Sequence, residues 1–476
     1  MLGSITSELD KLSPRFEVEP SQIRILRSPG EFYETLKDKI SKASHRIYLS
    51  TLYIGKTENE LISTIRDALQ RNPELKVSIL TDALRGTRET PKPCCASLLV
   101  PLVEEFGENR VEIRMFHTPN LTGLRKKVVP KRINEGWGLQ HMKLYAIDDE
   151  LIMSGANLST DYFTNRQDRY HVFSSAALTD YFERIHQAVC KLSFSILPSK
   201  ELAGYTMEWR QDNPGPSPLL DPKAFNAQAT ASLNSLLHLA TLAEKKPPTT
   251  STLVYPLLQF TPLLRPDTST ELPALRTILS ALSTPAFAES SWTFTAGYFN
   301  MTPEVRSLLL NSHPAHATVI SASPWANGFF GSKGVSGMLP AAYSLLSRRF
   351  LDAVSSKGLA SQITLKEWRR GTVNEPGGWT YHAKGLWVTM PHETEPSISL
   401  VGSSNYTKRS YSLDLEANAL IVTRDQSLKK RLREEEQWLQ EYARPVDRDE
   451  FAKTERRVGL HVRVAMWLVT VLGGAL

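Results

Sequence analysis

Hydrophobic and polar residues are arranged along this chain as helices that lead into strands. Apolar residues recur at helical spacing over residues 30–44, and the β-branched and aromatic run at 46–53 predicts a buried strand directly afterwards. The same order returns at 270–282 and 291–298. A helix and strand that recur so far along the chain suggest that one folding unit occurs twice.

Three further landmarks support this duplication because they recur in the same order. They are the strand patterns 76–81 and 317–321, the strings 136–143 and 378–384, and the strings 155–159 and 402–406. The offset between partners is nearly constant, with 241 residues between His141 and His382 and 248 between Asn157 and Asn405. Four landmarks at such an offset predict two copies of an α/β unit of about 200 residues.

The repeat divides the chain into four predicted regions. They are a first half at 1–210, a connecting helix and linker at 211–252, a second half at 253–445 and a hydrophobic tail at 446–476. In the connecting region, leucines at helical spacing over 229–242 predict a helix that packs across both halves, with contact to a membrane as the alternative. The stretch 245–251 is a linker by composition.

Two segments near the C-terminus have different patterns. The charged run at 426–442 predicts a helix that presents a solvated face. The apolar run at 464–472 is too short to cross a bilayer of about 30 Å. Packing on the core and dipping into a membrane surface are therefore equal alternatives for this tail.

Composition narrows the class of protein. The chain has 476 residues, 41% hydrophobic and 22% charged, which excludes a disordered chain. It lacks an uninterrupted apolar run of about 18–20 residues, which excludes a polytopic membrane protein. The net charge of +6 suits an anionic surface or substrate. The three cysteines form neither a disulfide ladder nor a spaced metal quartet.

The chemistry-bearing pattern is H-x-K-x4-D. It is complete as His141, Lys143 and Asp148, and it recurs in the second copy as His382 and Lys384. At the position of the second acid the chain has a threonine, Thr389. One copy is weak evidence, whereas two copies at equivalent points of a repeat indicate a shared site.

Each copy continues with an asparagine and then an acid. Asn157 is followed by Asp168, and Asn405 by Glu416, both at a distance of 11 residues. Each acid is expected to hold the second nitrogen of an imidazole and so fix its tautomer and orientation. Because the second motif has lost its own acid, we expect Glu416 to orient His382.

Two histidines, two lysines and two asparagines around one space suit a phosphodiester substrate. One neutral histidine attacks phosphorus, and the other donates and accepts a proton. The lysines and amides stabilise the negative charge of the transition state. This mechanism requires no metal ion, zinc has no cysteine ligands or close histidine pair to support it, and stimulation by divalent cations stays open.

A basic segment precedes the first motif. It begins with Arg125, Lys126 and Lys127 and ends at residue 132. A solvated loop is one interpretation. The functional alternative is capture of an acceptor phosphate or of an anionic membrane surface.

The duplicated pattern resembles the phospholipase D superfamily over about residues 20–440. Within it, more specific strings resemble the phosphatidylglycerophosphate synthases of eukaryotes. These strings are TDALRGTR at 81–88, QHMKLY at 140–145, GANLS at 155–159, YF at 162–163, RQDRY at 166–170, YHAKGLW at 381–387 and GSSNY at 402–406.

The resemblance implies a pseudo-dimer of two α/β/α units with mixed sheets and one active site at the seam. It implies phosphatidyl transfer from CDP-diacylglycerol to glycerol 3-phosphate with release of CMP, through a phosphatidyl-histidine. By analogy His141 is the nucleophile and His382 the general acid and base. It further implies a peripheral protein of the mitochondrial inner membrane, although acids in the first twenty residues argue against a presequence here.

Three alternatives accompany this interpretation. A related phosphatidyltransferase would make phosphatidylserine or cardiolipin. A nucleic-acid phosphodiesterase shares the motif, but the chain lacks an interleaved stripe of aromatic and basic residues, so we expect no nucleic-acid partner. A binding protein without activity is the third alternative, because of Thr389. The sequence leaves the oligomeric state open.

Overall fold

The computed structural model describes residues 1–131, 133–237 and 251–471. Two nine-stranded sheets organise the chain. Eleven strands lie before residue 209. These strands are β1 (Phe16–Glu17), β2 (Ile23–Leu26), β3 (Arg46–Ser50), β4 (Lys76–Asp82), β5 (Val111–Phe116), β6 (Leu144–Ile147), β7 (Glu150–Ser154), β8 (Arg166–Gln167), β9 (Tyr170–Ser174), β10 (Phe194–Pro198) and β11 (Tyr205–Glu208).

Nine strands follow in the second part of the chain. They are β12 (Thr252–Gln259), β13 (Ser291–Ala296), β14 (His316–Ala322), β15 (Ile363–Trp368), β16 (Thr380–Tyr381), β17 (Lys384–Thr389), β18 (Ile398–Gly402), β19 (Glu416–Thr423) and β20 (Ala443–Pro445). Strands β8 and β16 pair with each other, one from each half.

The two large sheets have the same strand order. Eight strands correspond, running β10-β5-β4-β3-β6-β7-β9-β2 in the first sheet and β20-β15-β14-β13-β17-β18-β19-β12 in the second. The ninth strand is β11 beside β10 in the first sheet and β1 beside β12 in the second. In each, three neighbouring strands are parallel and the others antiparallel, as in β3-β4-β5 and β13-β14-β15. Eight corresponding strands in corresponding order confirm the predicted duplication of an α/β unit with a mixed sheet.

Helices cover the sheets. They are α1 (Leu2–Leu9), α2 (Pro29–Ser41), α3 (Asn59–Arg71), α4 (Ala83–Gly86), α5 (Cys95–Phe106), α6 (Gly123–Val128), α7 (Thr160–Thr164), α8 (Ala176–Lys191), α9 (Pro222–Leu237), α10 (Glu271–Leu282), α11 (Pro303–Asn311), α12 (Leu339–Ser356), α13 (Lys408–Ser412), α14 (Gln426–Leu439) and α15 (Leu460–Val471).

Local sequence explains where the helix before the first strand begins. In α2, the Ser28 side chain accepts a hydrogen bond from the backbone N–H of Glu31, and Pro29 occupies the first turn. A serine cap followed by proline is a typical helix start. Phe32, Leu36 and Ile40 lie on one face and are buried in the first half. The predicted pattern at 30–44 therefore becomes a helix anchored at both its start and its inner face.

The connecting helix packs across the halves. Phe225 and Leu233 of α9 belong to one core cluster with Phe182 of the first half and Leu258 of the second. The prediction of cross-packing is therefore confirmed for the part of the helix that the structure describes. Residues 238–242 of the predicted helix and 245–250 of the predicted linker lie outside the described residues.

The N-terminal segment corrects the predicted boundary of the first half. Helix α1 packs on α10 through Ile5 and Leu9, and β1 pairs with β12 at the edge of the second sheet. Residues 1–17 therefore belong structurally to the second half, although the first was expected to begin at residue 1. The apolar face of α1 had no counterpart in the repeat and so gave no signal of its position.

Helix α14 is less solvated than its charge pattern predicts. Leu428, Leu432 and Leu439 form a buried stripe, and Glu435 is also buried with 1% exposure. The carboxylate of Glu435 pairs with the Arg169 guanidinium at 2.8 Å and with Nε2 of His171 at 2.9 Å. The predicted solvated face is thus only one side of this helix, and its other side holds an ion pair between the two halves.

The C-terminal tail forms α15 beyond the second sheet. Val462 and Met466 of this helix pack on Ala342 and Leu345 of α12. No helix within residues 1–131, 133–237 and 251–471 is long and apolar enough to cross a membrane.

Candidate active site

The first histidine lies in the extended segment that leads into β6. The backbone N–H of His141 donates to the carbonyl oxygen of Leu415 at 2.9 Å. Its ring nitrogen Nδ1 lies 2.8 Å from the Glu416 carboxylate, which also accepts a hydrogen bond from Ser403 at 2.5 Å. Since an ionised carboxylate only accepts, Nδ1 carries the proton and Nε2 has a free lone pair.

The second histidine repeats this arrangement in the opposite sense. The backbone N–H of His382 donates to the carbonyl oxygen of Gln167 at 2.8 Å, and Nδ1 lies 2.6 Å from the Asp168 carboxylate. Asp168 also accepts from the backbone N–H of Arg169 at 2.8 Å. Asp168 and the His382 side chain are buried.

The two pairs cross between the halves. The acid of the second half, Glu416, orients His141 of the first, and the acid of the first half, Asp168, orients His382 of the second. The expectation that Glu416 orients His382 was therefore wrong. Each histidine needs an acid from the other half, so neither half alone contains an oriented imidazole.

The lysines complete the cluster beneath the histidines. Lys143 Nζ donates to the carbonyl oxygen of His141 at 2.7 Å, and Lys384 Nζ donates to that of His382 at 2.8 Å. Lys384 also donates to Asp168 at 3.2 Å and lies 2.8 Å from Nδ1 of His382. Both lysines are nearly inaccessible to solvent.

Charges of the two halves act on one another. Burial lowers the pKa of Lys143 to about 7, opposed by Glu416 and assisted by the charge of Lys384. Burial also lowers the pKa of Lys384, while Asp168 and Glu416 raise it. Because each lysine is influenced by acids of both halves, the two motifs form a single electrostatic site.

The imidazoles are held neutral. Burial and the charge of Lys384 lower the pKa of His382 to about 3, although Asp168 opposes them. Burial likewise lowers the pKa of His141 below its ordinary value, against the opposing charge of Glu416. Burial would raise the pKa of Asp168, but Lys384 and His382 beside it hold it below the usual range. Neutral imidazoles next to ionised carboxylates are suited to nucleophilic attack and proton acceptance.

The outer nitrogens of the two rings have different surroundings. Nε2 of His382 lies 3.4 Å from the Tyr162 hydroxyl, and the ring meets Tyr162 and Tyr298 edge-on, with centroids 5.2 Å away in each case. Nε2 of His141 has no hydrogen-bond partner among the residues that the structure describes. The first ring therefore presents a free lone pair, while the second lies between tyrosines.

The two asparagines also differ. Asn157 Nδ2 donates to the Tyr162 hydroxyl at 3.2 Å, and its Oδ1 accepts a weak bond from Thr51. The buried Oδ1 of Asn405 has no partner within the described parts of the chain. Asn157 thus connects to the His382 side through Tyr162.

Asp148 is not part of this cluster, and its predicted catalytic role is corrected. It occupies the turn between β6 and β7 with a φ of +49°, and its carboxylate accepts from the backbone N–H groups of Ser44, His45 and Arg46 at 2.8–3.2 Å. Its carboxylate fastens the start of β3. Thr389, at the equivalent point of the repeat, ends β17 beside Ser291. The threonine therefore replaces a residue that anchors a turn, not one that reacts.

The basic segment is exposed and helical. Arg125, Lys126 and Lys127 lie on α6, where Arg125 donates to the carbonyl oxygen of Asn120 at 3.1 Å. None of the three hydrogen-bonds to the histidine cluster in the described residues. Lys126 instead lines a cavity of about 410 Å³ together with His117. Residue 132 of the predicted segment lies outside the described residues.

Several functional contacts were missed from the sequence. Tyr298 and Ser403 touch the histidine–acid pairs, but single tyrosines and serines in a strand or loop carry no distinctive spacing. A Cβ at Gly155 would lie 2.8 Å from both Asp168 carboxylate oxygens. The repeated glycine of the GANLS string was the available signal for this close packing.

Metal ligands are not clustered at the site. Among residues 1–131, 133–237 and 251–471, no group of three or more His, Cys, Asp or Glu side chains is arranged to hold an ion.

Comparison with known proteins relates this geometry to a family. The family model described as "Cardiolipin synthase, PLD-like domain" matches residues 36–189. The solved phosphatidylserine synthase of Haemophilus influenzae Rd KW20 superposes with a TM-score of 0.72 at 19% identity, covering 99% of this chain and 97% of that one. The likeness extends over both halves and supports the phospholipase D-like fold.

Sequence relatives are closer. The CDP-diacylglycerol–glycerol-3-phosphate 3-phosphatidyltransferase of Saccharomyces pastorianus is 47% identical over 99% of this chain and 92% of the relative. The human mitochondrial protein of the same name is 35% identical over 96% of this chain and 84% of its own length. Because these relatives are 47% and 35% identical over 99% and 96% of this chain, the chain belongs to the CDP-diacylglycerol–glycerol-3-phosphate 3-phosphatidyltransferase family of phospholipase D-like enzymes.

Proposed function

We propose that this enzyme transfers the phosphatidyl group of CDP-diacylglycerol to glycerol 3-phosphate, giving phosphatidylglycerophosphate and CMP. The observation that carries the proposal is the crossed pair of histidine–acid units, each completed by the other half. Two oriented, neutral imidazoles above two buried lysines suit displacement at a phosphodiester in two steps. The names of the relatives supply the donor and the acceptor.

In the first step, Nε2 of His141 attacks the phosphorus that carries diacylglycerol. A phosphorus–nitrogen bond forms, and the bond from phosphorus to the CMP oxygen breaks, with the electron pair leaving on CMP. Glu416 keeps the proton of His141 on Nδ1 and stabilises the positive charge that develops on the ring. The product is a phosphatidyl-histidine and free CMP, which is a weakly basic leaving group.

In the second step, a hydroxyl of glycerol 3-phosphate attacks the same phosphorus. Its proton moves to Nε2 of His382, while the phosphorus–nitrogen bond breaks and its electron pair returns to His141. Asp168 stabilises the imidazolium that forms on His382, which then releases its proton to solvent so that both imidazoles are neutral again. The low pKa of His382, about 3, means that it enters this step as a neutral base.

The assignment of His141 as nucleophile rests on the difference between the two outer nitrogens. A nucleophile needs an unobstructed lone pair, and Nε2 of His141 lacks a hydrogen-bond partner in the described residues. His382 lies against the Tyr162 hydroxyl, which suits a group that exchanges protons rather than one that bonds to phosphorus.

Transition-state charge is stabilised by the protein's own cations in this proposal. In this proposal, Lys143 and Lys384 face the charge that develops on the phosphoryl oxygens. The steps above require no metal ion. Full activity in the presence of EDTA supports this part of the proposal, and loss of activity restored by a divalent cation contradicts it.

The proposed setting is the surface of the mitochondrial inner membrane, with the protein bound peripherally to anionic lipid. Relatives from human, mouse and chicken are named mitochondrial. A donor with two acyl chains resides in a bilayer, so the enzyme must meet that surface. We propose no nucleic-acid partner.

The function is tested with purified protein, CDP-diacylglycerol and labelled glycerol 3-phosphate. Equal amounts of CMP and labelled lipid support the proposal. Release of CMP without labelled lipid indicates hydrolysis, and preference for serine as acceptor indicates a phosphatidylserine synthase. Either result contradicts the proposal.

A further inference from the structure

Helix α15 has two apolar faces, and the described part of the chain covers only one of them. Val462 and Met466 pack on α12. On the opposite side, Leu460, Val464 and Trp467 are 76%, 47% and 62% exposed. Their spacing of four and three residues places them on one stripe of the helix. A helix held to the protein by one face therefore presents a second apolar face to its surroundings.

A basic cavity adjoins this face. It has a volume of about 370 Å³, and its lining includes Arg348 of α12, Arg457 and Arg463. These three arginines are exposed and form no ion pair within the described residues. A fourth arginine in the wall, Arg456, is neutralised by a buried two-bond pair with Glu367 at 2.5 and 2.6 Å. Among the described residues, no acidic side chain lines the cavity, so its arginines carry an uncompensated positive charge.

We propose that this cavity binds the headgroup phosphate of an anionic phospholipid while the face formed by Leu460, Val464 and Trp467 inserts into the same leaflet. The arginines supply planar donors for phosphate oxygens. Trp467 is suited to the boundary between headgroups and acyl chains. Arg463 lies on the same helix next to the apolar stripe, as in helices that lie in the plane of a membrane interface.

Charge distinguishes a bilayer from a protein partner as the occupant. A second copy of this chain would bring its own arginines against these, because like patches meet in a symmetric dimer. An anionic bilayer instead offers apolar chains and phosphates side by side, matching the order of the helix face and the cavity. The inference rests on the proposed membrane location and is independent of the transfer reaction.

The test is co-sedimentation of the full-length protein with phosphatidylcholine vesicles, with and without phosphatidylglycerol. Arg348→Gln, Arg457→Gln and Arg463→Gln are each expected to weaken binding to phosphatidylglycerol vesicles about fivefold and to leave binding to phosphatidylcholine unchanged. Trp467→Ser is expected to weaken binding to both. Arg349→Gln is the matched control, because Arg349 is an exposed neighbour on α12 outside the cavity lining.

Three results would overturn the inference. Equal effects of Arg348→Gln and Arg349→Gln indicate general charge attraction without a cavity. Vesicle binding that does not depend on phosphatidylglycerol contradicts recognition of an anionic headgroup. A change of oligomeric state in Trp467→Ser by light scattering, without loss of vesicle binding, makes the face a protein interface. Sedimentation requires no turnover. The vesicle-binding results can therefore be interpreted even if the transfer reaction fails in detergent.

Discussion

Each half of the site holds a histidine, a lysine, an asparagine and an acid in the same order, yet the two histidines have different surroundings. His141 receives its acid from β19 and has no partner on Nε2 among the described residues. His382 receives its acid from the segment after β8 and has Tyr162 3.4 Å from Nε2. Duplication supplied two equivalent imidazoles, and the loops around them give the proposed nucleophile and the proposed proton carrier different surroundings.

The largest expected effect comes from deleting each imidazole. His141→Ala removes the attacking atom, so turnover is expected to fall by about 10⁵- to 10⁶-fold and no early release of CMP should occur. His382→Ala is expected to cost about 10²- to 10⁴-fold, because CMP leaves without needing a strong acid. Rapid-quench measurement of CMP separates the two.

A one-equivalent burst of CMP is predicted for His382→Ala and none for His141→Ala. His45→Ala is the control, since His45 is an exposed histidine whose backbone alone contacts Asp148. A burst in His141→Ala, or none in His382→Ala, would reverse the assignment.

Exchanging the orienting acids is the next largest effect. Glu416→Gln and Asp168→Asn keep the shapes but remove the charge that fixes each tautomer, and each is expected to reduce kcat by about 10²- to 10⁴-fold. Because the pairs cross, Glu416→Gln should slow CMP release, while Asp168→Asn should slow lipid formation after it. Equal slowing of both steps by both variants contradicts separate roles.

The connection between halves is expected to break with Glu435→Gln. Arg169 would be left buried without its partner, which typically costs about 3–5 kcal/mol. Burial would raise the pKa of Glu435, but Arg169 and His171 hold it at about 2, below its ordinary value. Its contribution to stability is therefore full above pH of about 4.5 and is lost as pH falls through about 2.

Urea unfolding at neutral pH measures this effect. Glu434→Gln on the exposed side of α14 is the matched control and is expected to change stability by less than about 0.5 kcal/mol. Equal stability of the two variants would contradict a role of the Glu435–Arg169 ion pair in holding the halves together.

The activity is expected to depend on the protonation of Lys143. Its pKa of about 7 means that the ammonium loses its proton as pH rises through neutrality, so kcat/KM should fall about tenfold per pH unit on the alkaline side. The pKa of His141 is lowered, so the acidic limb should lie below its ordinary value. A profile that stays flat to strongly alkaline pH contradicts the role of Lys143.

The smallest predicted effect concerns the tyrosine between the two sides. Tyr162→Phe removes the hydroxyl near His382 and Asn157 and is expected to lower kcat about three- to tenfold, with the CMP burst preserved. A loss of the burst would assign Tyr162 to the nucleophile's side.

The sequence predicted the architecture because duplication leaves a record in spacing. The landmarks at His141 and His382 located corresponding strands, and the sheets follow the same order in both halves. The crossing of the acids could not be predicted, because spacing places Glu416 eleven residues after Asn405 but not which histidine it faces. That choice is made by the pairing of Leu415 with Gln140 across the seam.

Two other features could not be predicted from the sequence pattern. Asp148 belongs to the motif by spacing, yet its φ of +49° and its three backbone contacts make it a turn residue. The charge pattern of α14 did not reveal that Glu435 is buried, because a sequence does not distinguish a buried glutamate from an exposed one. Both cases depend on contacts that the fold creates between residues distant in sequence. The spacing of residues along the chain does not predict these contacts.

The most direct test of the account is the identity of the residue that carries the phosphatidyl group. Protein quenched in acid-free denaturant after mixing His382→Ala with CDP-diacylglycerol, in the absence of acceptor, is digested and analysed by mass spectrometry. We expect one phosphatidyl adduct, on His141, which disappears when glycerol 3-phosphate and an external imidazole are added. An adduct on any other residue of the His382→Ala protein, or a burst of CMP from His141→Ala, contradicts this assignment.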